Sequence, residues 1–200
     1  MNDKFFDLKK EKQDRMINAA LKIFAENGYK RASTDDIVKE AGISKGLLFH
    51  YFESKIGLFE FLFDYSAKFL MLELSGLSNG QESDYFTVCR QLIGTKVQIM
   101  RNYPYLCLFL SKAAEEKTSD FSVDLYEKID AYREFEASFF KKVKQSSFSE
   151  HADYNKVKTL IDYTIQGTME REFKEGTFET DKYYEEVIAY LEMMRMLCYK

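Results

Sequence analysis

The sequence predicts an all-α protein of about nine helices, and three observations carry that prediction. Its 200 residues include nine glycines and one proline, so few strong breakers interrupt long stretches rich in Leu, Lys, Glu and Ala. Apolar residues recur at three- and four-residue intervals in one segment after another, and no alternating run bounded by turn signals marks a strand. Hydrophobic residues at 46% and charged residues at 31% describe a globular chain long enough to bury a core.

The first helix is expected from about Lys9 to Asn27, with Met16, Ala20, Ile23 and Phe24 on one face and Gly28 as its stop. Ser33 or Thr34 opens the second, since either hydroxyl can cap free backbone N–H groups, and Asp36 is placed for a capping-box contact to Ser33. Ile37, Val38 and Ala41 follow at helical spacing, and Gly42 can end the helix by taking a positive φ at little cost. Ile43 plugs the angle, and Ser44 caps a third helix over roughly Lys45 to Phe52. These three share a small core of Ala20, Phe24, Ile37, Ala41, Ile43, Leu48 and Phe52. A long fourth helix runs from Lys55 to about Leu74, and Ser75 to Ser83 is the clearest loop. The fifth covers about Asp84 to Asn102 and is ended by Pro104, which pushes its preceding residue out of helical φ/ψ. The sixth (Tyr105 to Glu116), seventh (Ser122 to Lys144), eighth (Asn155 to Glu175) and ninth (Asp181 to Tyr199) complete the set.

Helix, glycine turn, helix is the helix-turn-helix arrangement, whose second member lies in the DNA major groove. The third helix suits that place. Leu48 and Phe52 share an inward face, while Lys45, Gly46, Leu47, His50 and Tyr51 lie opposite, with fewer charges and more rings than a solvated helix carries. Ser44, Lys45 and the N–H of Gly46 stand at a helix N-terminus, where dipole and unpaired amides favour a phosphate, and Lys55 can take another. Leu47 offers a contact to a thymine methyl, and His50 or Tyr51 can reach a base edge or a phosphate oxygen. The plainer alternative is a short amphipathic helix in a bundle, its lysines merely solvated.

From about Arg15 through Phe63 the chain resembles the TetR family of transcriptional regulators. The resemblance rests on F-A-E-N-G-Y (Phe24 to Tyr29), then the run from Ser33 to Lys55, S-T-D-D-I-V-K-E-A-G-I-S-K-G-L-L-F-H-Y-F-E-S-K, then Leu58. It implies a DNA-binding domain over 1–54 and a helical effector-binding and dimerisation domain over 55–200. It further implies a homodimeric repressor that reads an inverted-repeat operator and is released by a small molecule. Phosphate contacts would fall on Thr34, Ser44, Tyr51 and Lys55, and groove-facing positions on Lys45, Gly46, Leu47 and His50. Ser33 and Phe49 complete the candidate set. Position 49 is usually tyrosine in the family, and Phe49 lacks the hydroxyl that would reach a phosphate.

Beyond the head, 18 Phe and 14 Tyr collectively suit an apolar cavity for a flat or greasy ligand, with Phe86, Cys89, Ile93, Phe109 and Tyr126 as candidate lining, although for any single residue ordinary core packing is the better explanation. The dimer seam is expected on the last two helices, at Leu160, Ile161, Thr164, Gly167, Thr168, Val187, Ile188, Leu191 and Met194; the alternative is that both stripes face the protomer's own core.

The net charge of −4 does not by itself suggest a nucleic-acid partner. Residues 1–60 nevertheless hold eleven basic against ten acidic side chains, a weakly positive head on an acidic body. Three scattered cysteines, Cys89, Cys107 and Cys198, have no metal-ligand spacing and read as reduced core residues of a cytoplasmic protein. No leader-like apolar run opens the chain and no membrane span is expected. Only His50 and His151 are available as histidines, neither in a catalytic or metal motif, so no enzyme, metal or cofactor is expected. The rival to a regulator is a helical ligand-binding or interaction module without DNA-binding activity.

Overall fold

Serine and aspartate side chains, and glycines free to take positive φ, set several helix boundaries. In the computed structural model, which describes residues 3–77 and 82–200, the regular elements are a single 3-10 turn at Asp3–Phe5, then α1 (Lys10–Arg31), α2 (Thr34–Ala41), α3 (Lys45–Phe52), α4 (Lys55–Ser75), α5 (Tyr85–Met100), α6 (Leu106–Glu115), α7 (Val123–Ser138), a 3-10 turn at Gln145–Ser147, α8 (Tyr154–Glu175) and α9 (Thr180–Cys198). The all-α prediction holds among the described residues, where the one β-type pairing is an isolated bridge between Phe148 and Tyr199. No helix is long and apolar enough to cross a membrane among those residues.

Ser33 caps α2 by accepting the Asp35 amide at 3.1 Å, and Ser44 caps α3 by accepting the Leu47 amide at 3.2 Å. Asp84 and Asp153 do the same for α5 and α8. Gly42 takes φ 63° at the α2 C-terminus, the left-handed conformation that a side chain would disfavour. Gly28 (φ 70°, ψ 167°) breaks α1 where a stop was expected, but the chain makes a further helical turn to Arg31 before α2. Two boundaries differ from expectation. The seventh helix ends at Ser138 rather than Lys144: beyond it the amides of Phe139, Phe140 and Lys141 bond to carbonyls three residues back, at Glu136, Ala137 and Ser138, and Phe140 packs on Tyr85, 5.4 Å between rings. Within the expected 75–83 loop, Ser75 is still helical, and 78–81 lie outside the described residues.

The described residues divide into two compact units that interleave along the chain: residues up to Met71 with Tyr103–Arg133, and Leu72–Asn102 with Glu134–Lys200. In the first, Ala20, Phe24, Ile37, Ala41, Leu48 and Phe52 are buried as expected, whereas Ile43 is half-exposed. That core continues through Phe59 of α4 into Phe109 of α6 and Phe121, with ring centroids 5.3 and 5.0 Å from Phe59. In the second, Tyr85, Phe86, Phe148, Tyr154 and Tyr199 form an aromatic knot. It draws together the starts of α5 and α8 and the end of α9, secured where the Ser149 amide donates to the Cys198 carbonyl at 2.8 Å.

Candidate nucleic-acid interface

The eight residues of α3 divide sharply by exposure. Leu48, Tyr51 and Phe52 are buried; Lys45, Gly46 and His50 are exposed; Leu47 and Phe49 are half-exposed. Ser44 stands exposed at the N-terminus, with Ser33 and Thr34 half-buried at the start of α2. Lys45 Nζ pairs with Asp35 across the helix-turn-helix at 2.8 Å, with both side chains largely in solvent. Such a pair contributes about 0–1 kcal/mol and yields readily to a stronger anion.

Two members of the sequence-derived set sit differently from the rest. Tyr51 is only 7% exposed, its ring held edge-on against Phe5 at 5.7 Å and His50 at 5.0 Å. Lys55, half-buried, donates to the carbonyls of Tyr29 (2.9 Å), Lys30 (3.3 Å) and Ala32 (3.2 Å), and its ammonium lies 4.6 Å from the Tyr29 ring centre. Three donors meet three acceptors at a helix C-terminus, where a cation is favoured. Lys55 is therefore a brace between α4 and the end of α1, and a phosphate would have to break that brace to reach it. The sequence signal for this role is the carbonyl-rich turn after Gly28, which composition alone does not point to.

The same turn is gripped from the other side. Glu116, just past α6, accepts the Tyr29 amide at 2.8 Å and the Lys30 amide at 3.3 Å. Tyr103, preceding α6, donates to Asp14 of α1 at 2.6 Å and accepts from Lys10 at 3.0 Å, and Tyr105 donates to Glu26 at 3.0 Å. Burial, then the Asp14 carboxylate beside it, pushes the Tyr103 hydroxyl above the usual phenol range. At Lys10 burial pulls downward, but the bonds to Asp14 and Tyr103 outweigh it and hold the ammonium above its ordinary value. Within the first unit, α6 is thus fastened to α1 near both ends.

Among the candidate pocket residues, Phe86, Cys89 and Ile93 lie on the buried face of α5 in the second unit, and Phe109 and Tyr126 belong to the first. Phe86 packs on Phe148 and Tyr199, Phe109 on Phe24 and Phe59, and Tyr126 on Phe121. Burial pushes the Cys89 thiol up to about 12, which keeps it protonated and unreactive. All three cysteines are buried, and none is in a disulfide. A groove of about 580 Å³ runs along α5 and α9, lined by Arg90, Gly94, Gln98, Arg101, Asp181 and Tyr184 among others. Its lining is as apolar as it is polar and includes none of the candidate pocket residues.

Of the candidate dimer residues, Ile161, Thr168, Val187 and Leu191 are buried within the protomer, Thr164, Ile188 and Met194 are half-exposed, and Leu160 and Gly167 face outward. The exposed apolar residues beside those two, which sequence reasoning missed, are Tyr163 on α8 and Met193, Met196 and Leu197 on α9, with Tyr163 70% and Met196 78% exposed. The outward face is rotated about one residue from the expected stripe.

Residues 16–62 match the family described as bacterial regulatory proteins, tetR family, and this stretch contains α2, α3 and the start of α4. That stretch is a tetR-family domain. The chain is 28% identical over 144 residues to the HTH-type transcriptional regulator YuxN of Bacillus subtilis, covering 72% of this chain and 44% of YuxN. It is 34% identical over 64 residues to IcaR of Staphylococcus aureus, a negative transcriptional regulator of a biofilm operon, covering 30% of this chain and 34% of IcaR. The match therefore spans less than half the length of these relatives. The fold of the chain is similar over 100% of its length, and 98% of the other, to a TetR family regulator from Chloroflexus aurantiacus, with a TM-score of 0.69 at 18% identity.

Proposed function

We propose that this chain is a DNA-binding transcriptional repressor that reads an inverted-repeat operator as a homodimer and leaves it when a small, largely apolar ligand binds. The observation that carries the reading is the division of α3. Its buried side is anchored by Leu48, Tyr51 and Phe52, while Lys45, Gly46 and His50 are exposed on the solvent side, Lys45 in an exposed ion pair with Asp35 of α2. In this reading the amides of Lys45 and Gly46, at the N-terminus capped by Ser44, receive a phosphate. Lys45 exchanges Asp35 for a phosphate or a guanine edge. Leu47 and Phe49 touch thymine methyls or sugars, and His50 reaches a base edge. Thr34 and Ser33 border the backbone at the start of α2, Tyr51, 7% exposed, supports the helix from beneath, and Lys55 acts as a brace.

A dimer seam on the outward face of α8 and α9 would pair Leu160, Tyr163 and Gly167 with Met193, Met196 and Leu197 across a two-fold axis. Ligand release has a route in the fastening of α6. A ligand that shifts α6 pulls through Glu116 on the turn at Tyr29 and Lys30, to which Lys55 and the start of α2 are also attached. Selection of bound duplexes from random DNA by the full chain tests the reading. The expected result is an inverted repeat whose half-sites lie about one helical turn, or a multiple of it, apart. Enrichment of no sequence over bulk DNA would overturn it in favour of a helical ligand-binding module.

A further inference from the structure

The segment ahead of α1 makes a contact with the reading helix that lies outside residues 16–62. Phe5, at the end of the first 3-10 turn, is 0% exposed. Its ring lies 5.7 Å from Tyr51 and 5.1 Å from Phe52, both on α3, and 5.4 Å from Phe61 on α4. The segment is held in place from α1, where Gln13 Nε2 donates to the carbonyls of Phe6 at 3.0 Å and Leu8 at 2.7 Å. Its own turn closes with the Asp7 and Leu8 amides on the carbonyls of Lys4 and Phe5. The neighbouring Phe6 is by contrast half in solvent.

An eight-residue helix cannot hold its own orientation, so the tilt of α3 is set by what lies beneath it. We propose that Phe5 is a positioning residue for DNA recognition, a wedge that fixes α3 through Tyr51 and Phe52. The proposal rests on the DNA-binding reading above. Tyr51 in turn meets His50 edge-on at 5.0 Å, so the wedge reaches the exposed face through one intervening ring. Without the Phe5 ring an apolar void opens under α3, and the two aromatic residues settle into it. The helix then tilts, and Lys45, Leu47 and His50 move relative to the bases. Hydrogen bonds to base edges weaken steeply with misalignment, whereas attraction to phosphates varies slowly with distance. Loss of the wedge therefore reduces sequence preference and spares general DNA affinity.

The test compares the full chain with Phe5→Ala, Phe5→Leu and Phe6→Ala on the duplex selected by the parent protein and on bulk duplex. Phe5→Ala should lower the ratio of selected to bulk affinity about tenfold or more, with bulk affinity and its salt slope unchanged. Phe5→Leu, which refills most of the void, should recover most of the ratio, and Phe6→Ala should keep it. A ratio unchanged in Phe5→Ala overturns the wedge. So does a parallel fall in both affinities that Phe5→Leu does not repair, since that pattern marks a merely structural residue. Amide exchange without DNA supplies an independent reading: residues 45–53 should exchange faster in Phe5→Ala, and unchanged protection overturns the proposal. Failure of the parent protein to select any sequence sinks the DNA-binding reading instead, and the exchange measurement still decides the wedge.

Discussion

Lys45 and Lys55 carry the same charge within one motif, yet their surroundings separate them. Lys45 has an exposed partner that a phosphate can replace, whereas three carbonyls and an aromatic ring enclose the Lys55 ammonium. Lys45→Ala should accordingly weaken operator binding by ~1–3 kcal/mol if the side chain reads a base, or flatten the salt slope by about one unit if it meets a phosphate. Titrations at several salt concentrations measure both, and no change in either would remove Lys45 from the interface. Phe49 is half-exposed at the edge of the same face, so Phe49→Tyr should tighten binding by on the order of 1 kcal/mol through one new phosphate hydrogen bond. A loss of affinity would mean that the ring packs against protein. Glu172 is a different case, buried at 7% exposure with Oε2 lacking a hydrogen-bond partner. Burial, and after it the carboxylate of Glu186, raises its pKa. The fold therefore favours the neutral acid, so the charged form costs stability at neutral pH. Glu172→Gln should raise the unfolding free energy at pH 7 by on the order of 1 kcal/mol, with the gain fading as pH falls through the carboxylate range. Thermal melts at pH 7 and pH 4 check it, and an equal effect at both would contradict the assignment. At this scale the motif singled out the side of α3 that is exposed, but which polar group is already occupied depends on neighbours distant in sequence. Lys55 meets the turn at Tyr29 to Ala32, and Tyr51 meets Phe5.

Helix existence was legible because each strong signal is local. Ser44 and Gly42 act on the residues beside them, and α3 begins and ends where the sequence predicts. The end of α7 was not legible: no glycine or proline marks it, and the Phe140 just past it packs on Tyr85, a residue distant in sequence. Helix α5 illustrates how an element end is tied into the fold. Its cap Asp84 accepts the Thr87 amide at 2.8 Å and a bond from Arg195 of α9 at 2.6 Å. Partial burial alone would raise the Asp84 pKa, but the Arg195 guanidinium and the cap bonds prevail and lower it. A lowered carboxylate contributes stability that is present above its unfolded pKa and is lost as pH falls through the folded one. Asp84→Asn should therefore reduce stability at neutral pH and flatten its decline in the acid range. Denaturant unfolding between pH 7 and pH 2 measures this, and an unaltered acid profile would show that the pair contributes nothing.

For the molecule as a whole, the periodicity of α8 and α9 announced wide apolar faces but not which side of each faces the protomer. Val187 and Leu191 are buried while Met193, Met196 and Leu197 are exposed, a distinction that depends on how the two helices pack on each other. Gly167 belongs to the outward side, and a Cβ built there meets no atom within 4 Å. Gly167→Leu should thus leave the protomer folded, with better helix propensity than glycine, and yield monomers in sedimentation if this face is the seam. An intact dimer would move the seam elsewhere. The aromatic residues taken as pocket lining were the least legible feature, because the same rings serve a cavity or a filled core, and Phe86 and Phe109 are both closed in by other rings. What remains central is the solvent side of α3. Binding of the selected duplex by a variant combining Lys45→Ala, Leu47→Ala and His50→Ala tests it most directly. The variant should fold as the parent does and lose its preference for that duplex over bulk DNA; a preference retained in full would contradict recognition by this face.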